Sequence, residues 1–270
     1  MADRQQRILP PLLGSISADV LDVFREPLRR YAQLLRDRRN YPAGPKVIND
    51  PIWRTVRIEP WEVAILDSPV VQRLRGVKQL GLASYVYPGA GYSRFEHSIG
   101  VLHQTQRFID AINRNARAEN PERLEPVQPS DEVLLRLSAL LHDVGHGFLS
   151  HVSERAMLRV PLDGEGSTAD DLLKDAKKHF GSGKPQLGEV LAALIVLLPE
   201  FVELLELARV PRWTDYDELA DHLAHLIVGT TKFKTRPFLS EIISGVVDAD
   251  KLDYMARDCY MAGLPMPVDV

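Results

Sequence analysis

The feature that most constrains this chain is a strongly apolar segment, residues 132–141, which runs directly into His142-Asp143-Val144-Gly145. A helix that is apolar on most of its surface has to be buried among other elements. A polar group buried without a partner is costly, so the His-Asp pair at its end needs hydrogen-bonding partners or a metal ion. For the dipeptide taken alone, helix capping is favoured over a metal, because short motifs often match by accident.

Apolar residues recur at helical spacing over most of the chain, which favours an all-α fold. Residues 161–186 are polar and lack periodicity, which indicates an irregular excursion that could act as a lid. Strands are expected at most in a small hairpin near 46–60 and at 84–88. Helices are expected at 15–39, 60–65, 70–80, 97–115, 132–141, 149–158, 187–207 (broken or bent at Pro199), 216–227 and 238–257.

Composition limits the classes of function. The 270 residues carry a net charge of −4 with an isoelectric point near 6.1, so no specific nucleic-acid partner is predicted. A single cysteine, Cys259, excludes an intrachain disulfide and a thiolate-cluster metal site. With no membrane-length apolar run and no secretory pattern at the N-terminus, a cytoplasmic protein is expected.

Five of the eight histidines fall between residues 97 and 151. Hydrolytic metal sites use imidazole and carboxylate ligands and leave positions open for water and substrate. The ordered set His97, His142-Asp143 and Asp250, each on a predicted helix, therefore predicts a metal site.

Four further motifs make the pattern specific: Asp67-x-Pro-x-x-Gln-Arg-Leu-Arg75, Lys78-Gln-Leu-Gly81, Arg94-Phe-Glu-His97-Ser and His142-Asp-x-Gly-His146-Gly. With them, residues 46–263 resemble the deoxynucleoside triphosphate (dNTP) triphosphohydrolases of the HD superfamily, in particular those that join a sterile alpha motif to an HD domain. The resemblance implies residues 1–45 as an N-terminal helix and linker, and 46–270 as an HD phosphohydrolase domain whose C-terminal part is expected to be missing. It implies hydrolysis of a dNTP to deoxynucleoside and triphosphate.

The resemblance also implies roles for individual residues. The metal ligands are His97, His142, Asp143 and Asp250; this ligand set favours iron or manganese and also accommodates magnesium or zinc. His146 is the proton donor and Glu154 the acid that orients it. Substrate contacts are implied for Gln79, Leu80, Arg94, His151, Lys251, Tyr254 and Asp258. An alternative for Arg94 is a structural salt bridge with Glu96 or another nearby acid.

One position departs from the family pattern. Members usually carry a His-Glu pair between the HD motif and the last Asp, and the best local match here is Gly188-Glu189. His179 is a candidate to replace the missing histidine in space.

A second nucleotide site at a subunit interface is also implied, for an activating GTP or dGTP in a dimer or tetramer. Its residues are Lys46, Val47, Asn49, Asp67, Gln72 and Arg75. Two other functions remain open: an HD phosphohydrolase acting on a nucleoside monophosphate, a cyclic nucleotide or a guanosine alarmone, and a nucleotide-sensing module without turnover, which Gly188 favours.

Overall fold

The computed structural model describes residues 18–37, 44–118, 125–148, 154, 156–158, 168–181 and 185–265. Within these ranges the chain is helical with one two-stranded antiparallel sheet, so the all-α prediction with a small hairpin is confirmed. No helix in this part of the chain is both long and apolar enough to cross a bilayer. The elements are α1 (Ala18–Asp37), β1 (Lys46–Asp50), β2 (Arg54–Ile58), α2 (Pro60–Leu66), α3 (Pro69–Gln72), α4 (Arg94–Ala118), α5 (Pro129–Leu141), α6 (Ala169–Phe180), α7 (Leu187–Val196), α8 (Pro199–Leu207), α9 (Tyr216–Ile227), α10 (Phe238–Ser244) and α11 (Ala249–Ala262), with 3₁₀ helices at Arg73–Gly76 and Gly81–Tyr85.

Helix α5 lies at the centre of the bundle, with α4, α9 and α10 packed around it. Residues 133–141 are all buried, as the apolar segment predicted. Each fully buried leucine contributes about 1.5–3 kcal/mol relative to an exposed one. The polar members are satisfied inside the core: Arg136 pairs with Glu62 at 2.6 Å, and Ser138 donates to the carbonyl of Leu134. The helix therefore delivers its polar end, His142 and Asp143, into the interior.

The hairpin pairs Lys46 with Ile58 and Asp50 with Arg54, and it packs against α4. Helix α1 packs on α8 and α3, with the Tyr31 hydroxyl donating to the carbonyl of Ala64 at 2.9 Å. The division of the chain at residue 45 stays a prediction.

Two predictions for residues 70–88 are wrong. The expected helix at 70–80 ends at Gln72 and continues only as a 3₁₀ turn, because the backbone of residues 77–79 bonds with the segment before α4. Arg94 N donates to Val77 O at 2.8 Å, and Gln79 N donates to Tyr92 O at 3.2 Å. The expected strand at 84–88 is instead the end of a 3₁₀ helix, which stops at Tyr85, and the turn that follows it.

Two further boundaries differ. Residues 169–180 of the predicted irregular excursion form α6, which begins with a Thr168–Asp171 capping box and ends at Gly181 with φ of +70°. Leu172, Ala176 and Phe180 are buried, so α6 is an amphipathic helix packed on α7 and not part of an irregular lid. The single helix predicted for 238–257 is broken at Gly245, and Asp248 caps the new helix by accepting from Lys251 N at 2.7 Å.

Candidate metal centre and active site

Three side chains from three helices converge on one point. His97 lies in the first turn of α4, His142 follows the last residue of α5, and Asp250 lies in the first turn of α11. One ligand atom from each lies within 4.8 Å of the others. Asp250 Oδ1 is 2.9 Å from His97 Nε2 and 4.0 Å from His142 Nε2. Such a spacing suits groups that face a common ion.

Each imidazole ring is oriented by an oxygen atom that contacts Nδ1, the ring nitrogen on the side away from the cluster. His97 Nδ1 lies 2.8 Å from Asp253 Oδ2, and His142 Nδ1 lies 2.8 Å from the carbonyl oxygen of Ala139. These acceptors fix the tautomer that leaves Nε2 available to a metal. Each Nε2 is buried and, apart from the 2.9 Å contact of His97 Nε2 with Asp250, is without a hydrogen-bond partner among the described residues. The orphaned nitrogens fit a metal ion.

Asp143 lies at the edge of this cluster. Its carboxylate oxygens are 3.8 Å from His97 Nε2 and 3.5 Å from His142 Nε2. It also accepts from Arg94 Nη1 at 2.6 Å, and both side chains are buried. The alternative partner for Arg94, Glu96, instead accepts from the backbone N–H and hydroxyl of Ser93. Two imidazoles and two carboxylates form a donor set that divalent transition metals accept.

The electrostatics of the cluster favour a cation. Burial lowers the pKa of His97, but the carboxylates of Asp250 and Asp253 outweigh burial and raise it to about 10. Burial raises the pKa of Asp143, but Arg94, His142 and His146 hold that pKa well below its usual range. Several carboxylates thus stay ionised in a small buried volume, and a divalent cation would neutralise part of their charge.

His146 follows the HD pair and is 4% exposed. Its Nδ1 contacts the carboxylate of Glu154, and its Nε2 lies 3.2 Å from Asp143 Oδ1. Burial lowers the pKa of His146, but Asp143 and Glu154 overcome this and raise it. The arrangement holds a proton on a ring beside the metal cluster, although the catalytic roles of both residues stay predictions.

A cavity of about 460 Å³ opens over the metal cluster, within the size range of small-molecule sites. The cavity is lined by Gln79, Arg94, His142, Asp143, His146, Gln186, Glu189, Ile227, Ile243, Ser244, Asp248, Asp250, Lys251 and Tyr254. A larger cavity of about 550 Å³ lies between β2, α4 and α5, and it contains none of the predicted site residues. We place the candidate active site in the first of these because the titratable cluster lies there.

Four of the predicted substrate residues line this cavity: Gln79, Arg94, Lys251 and Tyr254. Gln79 Oε1 is buried and makes no hydrogen bond with any described residue, so it is an available acceptor. Leu80 and Asp258 are not among the lining residues, and Asp258 instead accepts from the hydroxyl of Tyr92. His151 lies outside the described residues.

A buried polar network behind His97 was missed by sequence reasoning. Asp253 contacts His97 and accepts two hydrogen bonds from Arg257, which also donates to Asp50 at 2.8 Å. The indole N–H of Trp53 donates to the same Asp253 carboxylate. The spacing of Asp250, Asp253 and Arg257 on one helix face was the available signal.

Arg73 is a second residue that sequence reasoning missed. Its guanidinium donates to the backbone carbonyls of Val144 and His146, the latter at 2.9 Å. These two bonds hold the turn that follows the HD pair. Arg73 belongs to the motif that runs from Asp67 to Arg75, but its position in that motif did not indicate which backbone atoms it would contact.

The departure at residue 188 has a clear structural setting. Gly188 lies in the first turn of α7 against the His146 ring, and Glu189 lines the cavity. Burial raises the pKa of Glu189. His179 does not take the missing position: it packs beside Phe180 and His225 and is not among the residues that line the cavity.

Four of the six residues predicted for a guanine nucleotide lie together. Lys46 Nζ pairs with Asp67, Gln72 Nε2 donates to the carbonyl of Leu66 at 2.8 Å, and Arg75 Nε donates to Gln72 Oε1 at 2.9 Å. Val47 and Asn49 are exposed on the opposite face of β1 from Lys46, because side chains alternate along a strand. Nucleotide binding here stays a prediction.

Comparisons with known proteins identify the family of this chain. Residues 94–255 match the HD domain family. The human deoxynucleoside triphosphate triphosphohydrolase SAMHD1 is 32% identical over 235 residues, which cover 81% of this chain and 34% of the relative. The SAMHD1 homologue of Dictyostelium discoideum is 33% identical over 221 residues, covering 81% and 37%.

The chain therefore spans little more than a third of the length of these relatives. A crystal structure of a hypothetical protein from Aquifex aeolicus superposes with a TM-score of 0.53 at 29% identity, covering 81% of this chain and 47% of that one. The resemblance to HD-superfamily dNTP triphosphohydrolases is confirmed, and the chain belongs to the HD-domain family.

Proposed function

We propose that this protein hydrolyses deoxynucleoside triphosphates to deoxynucleoside and triphosphate, with a divalent metal held by His97, His142, Asp143 and Asp250. The observation that carries the proposal is the convergence of ligand atoms from His97, His142 and Asp250, with Asp143 beside them, next to a cavity of about 460 Å³. The relatives named as dNTP triphosphohydrolases support the substrate class.

A metal held by these residues would polarise a phosphoryl oxygen of the substrate and activate a water. The protein supplies the remaining charge and the proton. Arg94 and Lys251 line the cavity and provide positive charge for the polyphosphate. His146 donates its proton to the sugar oxygen while the bond from that oxygen to the α-phosphorus breaks and water adds to phosphorus. Glu154, held against Nδ1, keeps the opposite nitrogen on the side of Asp143.

Selection of deoxyribose is proposed to depend on Gln79, Leu80, His151 and Asp258. The open acceptor Oε1 of Gln79 is suited to a sugar hydroxyl, and a carboxylate such as Asp258 has lone pairs beyond the one used by Tyr92. Rejection of a 2′-hydroxyl by packing alone gives about 10²-fold discrimination, whereas lost hydrogen bonds give more.

Two imidazoles and two carboxylates favour iron or manganese, with magnesium and zinc as the other metals to test.

The decisive experiment incubates each of the four dNTPs with metal-stripped protein reconstituted with Mn, Fe, Mg or Zn. Chromatography of the products then separates the candidate functions. Intact triphosphate with deoxynucleoside supports the proposal. Turnover only of a monophosphate, a cyclic nucleotide or a guanosine alarmone identifies another HD phosphohydrolase, and binding without product identifies a sensor.

We further propose that GTP or dGTP binds at Lys46, Asp67, Gln72 and Arg75 and activates the enzyme as a dimer or tetramer. An aspartate can accept two hydrogen bonds from the guanine N1–H and exocyclic amine, which selects guanine over other bases. The Asp67 carboxylate accepts a hydrogen bond from Lys46. A bound guanine would therefore either share this carboxylate with Lys46 or displace the lysine from it. Arg75 stacks over Phe95 at 3.6 Å and offers a fixed guanidinium near this surface.

A further inference from the structure

Gly188 lies directly against the imidazole ring of His146. A Cβ atom added at residue 188 would lie 2.5 Å from Cε1, 2.6 Å from Nδ1 and 2.8 Å from Nε2 of that ring. Side-chain atoms do not approach so closely, since van der Waals contact between carbon atoms begins near about 3.5 Å. The ring therefore occupies the space that any side chain at 188 would need.

The ring has little freedom to move aside. Glu154 contacts its Nδ1, and Asp143 Oδ1 lies 3.2 Å from its Nε2. The backbone of His146 is fixed as well: its N–H donates to Asp143 O at 3.1 Å, and its carbonyl accepts from Arg73. A displacement of the ring would lengthen at least one of these contacts.

Helix α7 has little freedom to retreat. Its backbone also meets the turn at Gly145, where an added Cβ would lie 2.0 Å from Gly188 O and 2.4 Å from Ala192 N. On its other sides α7 is buried against α9 and α6, with Val190 and Leu194 fully covered. Two glycines thus allow the HD turn and α7 to pack backbone to backbone, with the His146 ring in the remaining gap.

We propose that Gly188 is a positioning residue for His146: the missing side chain lets the ring lie between Glu154 and the first turn of α7, with Nε2 beside Asp143. The inference rests on the proposed role of His146 in dNTP hydrolysis. It also makes the departure from the His-Glu pattern a feature of this active site and not a loss.

The test is a double-mutant cycle with Gly188→Ala and His146→Ala. Alone, Gly188→Ala displaces the ring and is expected to lower kcat by about 10²-fold, as a misplacement of about 1 Å does, with little change in KM. In the His146→Ala background the space is free, so the same substitution should cost nothing further in rate. Gly44→Ala is the matched control, because no atom lies within 4 Å of a Cβ added there, and it should retain the full rate.

Melting temperature provides a readout that is independent of activity. Gly188→Ala should lower Tm in the wild-type background. In the His146→Ala background it should leave Tm unchanged or raise it, because alanine is the better helix former. This second arm holds even if Gly188→Ala alone is too unstable to assay.

Two results would overturn the inference: full kcat in Gly188→Ala, or equal losses of rate and Tm from that substitution in both backgrounds. A wild-type protein that turns over no dNTP would instead refute the proposed function. The Tm cycle would still show whether residue 188 and the His146 ring share the same space.

Discussion

The carboxylate of Asp143 contacts both the metal cluster and a cationic side chain. One of its oxygens faces His142, and the other faces Arg94. Asp143→Ala is expected to abolish metal retention and hydrolysis while leaving the helical fold largely intact. Metal content by elemental analysis, circular dichroism and a dNTP assay check the three parts. Asp143→Asn keeps the volume and separates loss of charge from loss of packing. Full activity of a metal-free Asp143→Ala protein would disprove the metal site.

His146 is expected to affect chemistry and not affinity. His146→Ala should lower turnover by about 10²–10⁴-fold, the usual contribution of general acid–base catalysis. Binding of dNTP and of Mn²⁺ should remain close to that of the wild type, because the metal ligands and the cationic side chains of Arg94 and Lys251 are unchanged. Equilibrium binding measured beside kcat tests the split. If affinity falls as far as turnover, His146 positions substrate and does not donate the proton.

Between elements, the contact of α4 with α11 depends on Gly100. A Cβ there would lie 1.8 Å from Asp253 Oδ1 and 2.4 Å from Arg257 Nη2, so only glycine lets α11 place this ion pair beside α4. In this ion pair, Asp253 also contacts His97, and Arg257 also donates to Asp50 at the end of β1. The hairpin and a metal ligand are thereby connected by one buried chain of polar contacts.

Loss of this connection should weaken the metal site. Asp253→Asn keeps the shape but removes the charge that orients His97, and partners of this kind contribute about 10–100-fold to metal affinity. Titration of the apoprotein with Mn²⁺ measures the effect without any turnover. Glu62→Gln is the control, because Glu62 is equally buried and pairs with Arg136 at 2.6 Å away from the metal ligands. It should lower stability and leave Mn²⁺ affinity unchanged, whereas equal losses of affinity would show a general packing defect.

An element can be predicted from the sequence when its backbone hydrogen bonds are local, and it is missed when those bonds are made to a distant segment. Helix α5 and the hairpin follow from apolar periodicity and alternation, which are local signals. The extended segment at 77–79 pairs with residues 92–94, and no local pattern reports a partner that distant. The break before α11 rests on Asp248 as a cap, an available signal outweighed by the apolar run of 238–247. Likewise the ordered set of His and Asp residues predicted Asp250 as a ligand, but the contact between Asp253 and His97 arises only from packing of two helices.

For the molecule as a whole, a nucleotide bound at the surface around Asp67 is expected to favour association of subunits. Lys46, Asp67, Gln72 and Arg75 come from β1, the end of α2, α3 and the 3₁₀ turn after it, and the two cations are exposed. A nucleotide bound there would carry several negative charges, more than these two cations can neutralise. A second subunit that supplies further positive charge would bind more tightly once the nucleotide is present, and by linkage the oligomer must favour the nucleotide by the same factor.

We therefore expect GTP or dGTP to shift this protein toward dimers or tetramers and to raise the rate of dATP hydrolysis. Sedimentation with and without GTP, run beside a dATP assay, measures both effects. Asp67→Ala should remove the guanine dependence and leave Mn²⁺ affinity unchanged, since Asp67 lies outside the metal cluster. Asp170→Ala is the control, because Asp170 is also a surface carboxylate paired with a lysine, Lys174 at 2.9 Å. An unchanged mass and an unchanged dATP rate on addition of GTP would reject guanine activation.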